Sequence, residues 1–321
     1  MNEEKLRKNM SRAGVVFFTA LFCCFLWGSA APCIKIGYGI FGIGEQDSMD
    51  QIVFAGIRFT MAGLLVILLG SLLQKKALKP AKASWPMVLK LAMVQTVAQY
   101  IFFYIGVAHT SGVKSSIIVA SNVFLSIFVA AVCFGMEKLN AKKVAGCLIG
   151  FAGGVLINLS GGGIDMNFSL QGEGFVFLSA LSYAFSSAMI KRYSAAEDTV
   201  TLSGYQFLCG GLLLTAAGLL CGGRVELTAA SLGGYGLLVY LAFISAAAYT
   251  LWGLLLKYNP VASVAVYGFM NPMCGVLLSA LLLGESSQAF GLTGLAALVL
   301  VCAGILVVNG GGGRAGREGN A

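Results

Sequence analysis

The chain has 321 residues, of which 58% are hydrophobic and only 11% charged, with a formal net charge of +8. Soluble domains carry roughly 25% charged residues, so a water-soluble core cannot hide this much apolar surface. The same figures exclude disorder, a coiled coil and a disulfide-rich secreted scaffold. The apolar runs are solid rather than alternating, which is unlike the strands of a transmembrane β-barrel.

A helix needs about 20 apolar residues to cross the bilayer core. In chain order such stretches lie at 15–37, 52–72, 86–108, 112–134, 142–159, 174–192, 202–221, 234–256, 262–283 and 290–309. Pro86 and Pro260 sit at or just before predicted helix starts, where proline is tolerated. Gly161-Gly162-Gly163, Gly222-Gly223 and Lys79-Pro80 mark connections. The basic start, with Lys5, Arg7, Lys8 and Arg12, also resembles a signal peptide with a cleavage site near Gly28-Ser29-Ala30-Ala31. The first apolar run is longer than the roughly 7–15 residues of an h-region, which favours a membrane span.

Numbering from a cytoplasmic N-terminus puts most basic residues inside: the tail, Lys75, Lys76, Lys79, Lys82, Lys138, Lys142, Lys143, Lys191, Arg192, Lys257, Arg314 and Arg317. The opposite loops carry Glu45, Asp47, Asp50, Asp165, Glu173, Glu226 and Glu285. This positive-inside pattern predicts both termini in the cytoplasm of an integral protein of the cytoplasmic membrane. It also explains the net charge by topology, with lipid rather than nucleic acid as the partner.

The two halves resemble each other in register. Gly56, Phe59, Gly63, Leu64 and Leu65 recur as Gly204, Phe207, Gly211, Leu212 and Leu213, and Gly146 recurs as Gly294 at the same offset. Tyr100 and Tyr249, and Asn122 and Asn271, match with one more residue between them. Five spans per copy is an odd number, so the second copy enters the bilayer from the opposite side. Inverted repeats of this kind are an architecture of secondary transporters. The expected fold is an all-α polytopic membrane protein, ten transmembrane helices in two inverted five-helix repeats. Its parts are a tail over 1–13, repeats over 14–159 and 174–309, an extracytoplasmic linker over 160–173 and a flexible cytoplasmic tail over 310–321.

Trp27-Gly28-Ser29 in span 1, Gly56-Ile57-Arg58-Phe59 opening span 2, the turns Gly135-Met136-Glu137 and Gly284-Glu285, and Asn271-Pro272 carry a family resemblance. In this order and doubling the chain, across 14–309, resembles the EamA-like transporters of the drug/metabolite transporter superfamily. The resemblance implies a central solute cavity and export or exchange of small metabolites. Span 4 departs from it, with Asn122-Val123 where such repeats often carry a proline, and Gln206 stands where the first half has Arg58.

Asn122 and Asn271 lie about 14 Å inside their spans at 1.5 Å per residue. A buried amide there must face protein, water or solute, so each either bonds a neighbouring helix or lines the site. Pro272 frees a carbonyl beside Asn271, and broken midplane helices point to transporter sites. Tyr100, Tyr183, Tyr249 and Trp27 can wall an organic solute or simply pack the core; Trp252, near a span end, reads as an interfacial anchor. Arg58 is an intramembrane charge roughly 9 Å below the expected start of span 2. It either guides an anion, with Lys35, His109 and Lys114 forming a cationic vestibule, or pairs with Asp50, Glu173 or Glu285. Glu137 and Glu285 are expected to cap spans 5 and 10. Gly146, Gly150 and Gly154 form overlapping GxxxG steps that serve packing within the chain or a homodimer.

Neither GxxxxGK[ST] nor HExxH occurs, and the nine cysteines have no metal spacing, so no cofactor or metal is expected. These observations point to a non-enzymatic secondary transporter for an amino acid-like or other polar metabolite, working by alternating access. The alternative is an intramembrane enzyme or a non-transporting scaffold built on the same bundle.

Overall fold

The computed structural model describes residues 3–44, 47–110, 112–159, 168–227, 231–283 and 292–310. Among the described residues the chain is helical and has no strand. The N-terminal tail holds a short polar helix, α1 (Glu3–Met10), followed by α2 (Ala13–Ile40) and α3 (Ser48–Gln74). The third apolar run is a composite rod: a 3-10 turn (Lys82–Ser84), α4 (Trp85–Leu91), a π-helical stretch (Ala92–Ala98) and α5 (Gln99–Ala108). The fourth comprises α6 (Gly112–Ala120), α7 (Asn122–Phe128) and a π turn (Val129–Cys133); α8 (Ala141–Leu159) follows. The second half begins with a π turn (Leu170–Gly174) leading into α9 (Phe175–Tyr193), then α10 (Thr199–Leu220) and α11 (Leu232–Tyr258). Next come α12 (Val261–Ala265), a 3-10 turn (Val266–Phe269), α13 (Met270–Leu283) and α14 (Leu292–Asn309).

Local chemistry fixes the starts. Asp198 Oδ2 accepts the Thr201 N–H at 2.9 Å to cap α10, and Ser231 Oγ accepts the Gly234 N–H at 3.3 Å to cap α11. Among the described residues eight stretches are long and apolar enough to cross a bilayer: Ala13–Ile40, Ser48–Gln74, Lys82–Ala108, Lys114–Cys133, Leu170–Tyr193, Thr199–Leu220, Leu232–Tyr258 and Leu292–Asn309. Phe18, Leu73, Leu220, Leu232 and Leu306 point outward from these rods and are exposed, as a lipid-facing surface requires. The protein is an integral membrane protein.

Helix pairing follows the small residues. α3 packs along α10, α8 along α14, α2 against α11 and α13, and α9 against α5 and α7. A Cβ on Gly63 would lie 2.7 Å from the Gly204 carbonyl, and one on Gly211 would lie 2.8 Å from the Gly56 carbonyl. The backbones of α3 and α10 therefore touch through the repeated glycines. A Cβ on Gly304 would likewise sit 2.7 Å from Gly150 N, and one on Gly146 would sit 2.9 Å from the Gly304 carbonyl. Gly150 faces the Phe269 ring and Gly154 faces Ala120. The glycine steps of α8 are filled within the chain, so a dimer would need other faces.

The interruptions were not foreseen in continuous spans. A π turn admits an extra residue and turns successive side chains inward. Gln95 and Thr96 are buried in this stretch, and Gln99 is buried where α5 begins. Span 4 breaks at Ser121, whose hydroxyl bonds the Ile118 carbonyl at 2.6 Å, so the break needs no proline.

Candidate functional site

The site grows out of α3. This helix begins at Ser48, four residues before its expected start, which places Arg58 about 15 Å along it rather than 9 Å. Arg58 is only 4% exposed. Its guanidinium carbon lies 4.5 Å from the Phe59 ring centroid and 5.9 Å from that of Tyr100. The phenols of Tyr104, Tyr100, Tyr38 and Tyr249 surround it.

Around this cation the rings interlock. Phe59 stacks on Phe207 at 5.4 Å with an interplanar angle of 7°, and Phe207 meets Tyr249 edge-on at 5.2 Å. Trp27 packs edge-on against both Tyr249 (5.2 Å) and Trp252 (5.1 Å). The Tyr100 and Tyr249 hydroxyls are 2.8 Å apart, a hydrogen bond between α5 and α11. Tyr183 of α9 packs on the same cluster. The expected residues Trp27, Arg58, Tyr100, Tyr183 and Tyr249 thus come together. Trp252 is a correction: it is buried against Trp27 and is no interfacial anchor.

The electrostatics are one-sided. Among the described residues the ion pairs are Lys114–Glu173 and Lys143–Glu137, and neither includes Arg58. Asp50 accepts the Arg224 N–H at 2.8 Å, and Glu173 accepts from Thr110, Lys114 and Ser169 N. Both are spent elsewhere, and Glu285 lies outside the described residues. Arginine at a helix centre costs about 2.5–3.5 kcal/mol to insert. A desolvated cation–π contact returns roughly 2 kcal/mol, which makes the charge tolerable. It does not supply acceptors: Arg58 Nε and Trp27 Nε1 are buried without a hydrogen-bond partner. Each such group forfeits about 1–3 kcal/mol until something accepts from it.

Across the α3–α10 contact, Gln206 occupies the place equivalent to Arg58. Its Oε1 accepts from Thr96 Oγ1 at 2.7 Å, and its Nε2 is buried without a partner. Asn122 and Asn271 stand apart from the rings. Asn122 opens α7 directly after the Ser121 break, with its Oδ1 buried and unpartnered. Asn271 is the second residue of α13, after the 3-10 turn, and Pro272 follows in the first helical turn, where its missing N–H costs little. Both asparagines therefore mark helix breaks at equivalent places. Among the described residues no hydrogen bond or ring contact joins them to the Arg58 cluster.

Two further expectations change. Glu137 does not cap α8: Asn140 Oδ1 does, accepting the Lys143 N–H at 2.8 Å. Glu137 instead accepts the Ala262 N–H at 2.9 Å, capping α12 in the other half, and pairs with Lys143. The outer cationic vestibule is not assembled, because Lys114 pairs with Glu173 at 3.0 Å and His109 Nδ1 bonds its own helix at the Ile105 carbonyl (2.8 Å). Tyr38 and Tyr104 were missed. Tyr104 is one turn beyond Tyr100, and Tyr38 is three turns beyond Trp27, so helical spacing alone points both at the cluster. The Trp27-Gly28-Ser29 motif also has a local logic. Trp27 faces the rings, Gly28 lets α13 approach within 2.8 Å of a would-be Cβ, and Ser29 Oγ meets Tyr240 Oη at 3.0 Å.

Known proteins resemble this chain in sequence and fold. The chain is 29% identical over 297 residues to an uncharacterized inner membrane transporter, YedA, of Escherichia coli K12, covering 91% of this chain and 90% of that one. It is 26% identical over 297 residues to the uncharacterized transporter YvbV of Bacillus subtilis, covering 91% of each. It is 25% identical over 304 residues to a protein of Salmonella typhimurium named as a probable amino-acid metabolite efflux pump, covering 90% and 93%. A crystal structure of a protein 17% identical superposes with a TM-score of 0.73, over 91% of this chain and 97% of that one, and so has the same fold. The sequence profile of the EamA-like transporter family matches twice, over residues 14–159 and 170–310, and the chain belongs to that family.

Proposed function

We propose that this family member is a secondary transporter that moves a small polar organic solute across the cytoplasmic membrane by alternating access, as an exporter or exchanger. In this reading ten spans form two inverted five-helix repeats, 14–159 and 174–309, with both termini cytoplasmic. The helix pairing supports it. Exchanging the first five spans with the last five maps α2–α11 onto α9–α5 and α2–α13 onto α9–α7, and it leaves α3–α10 and α8–α14 unchanged. Two like halves that pack this way can rock about their contact and open alternate faces.

The observation that carries the reading is the aromatic cluster around Arg58. It is drawn from both halves, sits deep in the spans and has hydrogen-bond donors with no acceptor. In this reading Trp27, Tyr100, Tyr183 and Tyr249 wall the solute, Arg58 engages its polar end, and Asn122 and Asn271 bend the helices flanking it. The Tyr100–Tyr249 bond closes the site and parts when solute enters. The name of the Salmonella typhimurium relative makes an amino acid-like metabolite a fitting cargo. Counterflow in proteoliposomes against a metabolite panel tests this. Uptake of at least one labelled solute is expected, and Asn271→Leu and Trp27→Leu should leave folded protein in the membrane without flux. Undiminished flux in both folded variants refutes this site.

A further inference from the structure

The geometry points to a net-anionic carboxylate, rather than a zwitterionic amino acid, as the solute class of the central site; this rests on the transport reading above. Arg58, itself more than nine-tenths buried, brings one positive charge into the site. Among the described residues Asp50, Glu137, Glu173, Glu197 and Asp198 hold N–H, hydroxyl or lysine partners, and neither ion pair, Lys114–Glu173 nor Lys143–Glu137, reaches Arg58. Arg58 Nε and Trp27 Nε1 are buried donors with no acceptor, against one buried oxygen next to Tyr100 in the sequence, Gln99 Oε1, with no donor. A carboxylate is acceptor-only and offers about four lone pairs, which fits that deficit.

A zwitterion fits it worse. Its ammonium is donor-only and would share a low-dielectric site with a guanidinium of the same sign. Two of the ring faces that could hold it, those of Phe59 and Tyr100, already carry Arg58. An acid whose amine is removed or acylated keeps the attraction and loses the repulsion.

Four ligands sharing one body separate these effects: 3-phenylpropionate, phenylalanine, 3-phenylpropionamide and 3-phenylpropylamine. Binding is read by quenching of tryptophan fluorescence in the purified protein at pH 7, since Trp27 lies in the cluster. The carboxylate should bind about tenfold or more tightly than the amide and the zwitterion, and the amine weakest. Arg58→Gln should make acid and amide equal, and Arg58→Lys should restore part of the preference. Should Arg58→Gln fail to fold, the four-way comparison in the wild type and in Arg58→Lys still decides. Equal affinities in the wild type, tighter binding of phenylalanine, a preference that survives Arg58→Gln, or no saturable carboxylate binding each overturns the inference. A protein that supports counterflow yet binds acid and amide alike loses this inference and keeps the transport reading; absence of counterflow removes both.

Discussion

Adding one methyl group to Gly63 or to Gly211 tests the contact along which α3 and α10 meet. In α3 the new carbon would lie 2.7 Å from the Gly204 carbonyl and 2.8 Å from Leu208 Cα; in α10 it would lie 2.8 Å from the Gly56 carbonyl. Ordinary contact begins at 3.4 Å, and the obstacles are backbone, which cannot swing aside as a side chain can. The helices must therefore part by more than half an ångström along a glycine-lined seam, roughly the disturbance that costs 1–3 kcal/mol in an overpacked core. At about 2–4 °C per kcal/mol for a large chain, each alanine variant should melt roughly 3–10 °C lower. Gly→Ala also gains up to about 1 kcal/mol of helix propensity, so the proper reference is Gly39→Ala, a helical glycine facing open space. Thermal denaturation in detergent, followed by loss of the monodisperse elution peak, reads the difference. Because the two contacts are mirror copies, the two drops should be similar. If both variants melt within about 1 °C of Gly39→Ala, the helices are not as close as described and the symmetry argument fails with them.

The bond between Tyr100 and Tyr249 should appear as coupling in a double-mutant cycle. Tyr100→Phe and Tyr249→Phe together should cost about 1 kcal/mol less than their sum, and strict additivity would deny the bond. Glu137→Ala should raise amide hydrogen exchange over Ala262–Ala265 by removing the cap of α12, while Asn140→Ala should loosen only the start of α8. Equal protection of α12 in the two variants would return Glu137 to the role the sequence suggested.

Much of this was legible in the chain, for reasons that can be stated. The bilayer dictates 20-residue apolar runs, so the spans could be read before any contact was known. Close helix crossings demand glycine, so the copied Gly56–Gly63 and Gly204–Gly211 spacing announced that these two helices matter to one another. Aromatic residues deep in spans must pack on something, and four of the chosen ones meet around Arg58. The π turn over Ala92–Ala98 left no local trace, because the extra residue is accommodated by what packs against it. Glu137 was misread for the same reason: its true partner, Ala262, is 125 residues away, while a plausible helix start lies just downstream.

One of the differences between the halves falls where a copied charge would be costly. Residues on the contact of two like halves meet their own counterparts, as Phe59 meets Phe207 and Tyr100 meets Tyr249. Arginine at both equivalent positions would set two like charges near each other in a dry interior, where repulsion is strongest. The chain keeps Arg58 on one side and places Gln206, tied to Thr96, on the other. A repeated scaffold thereby acquires a pole. The glycines and rings repeat across the two halves, and the single unmatched cation gives the cluster a direction, as the proposed solute site requires.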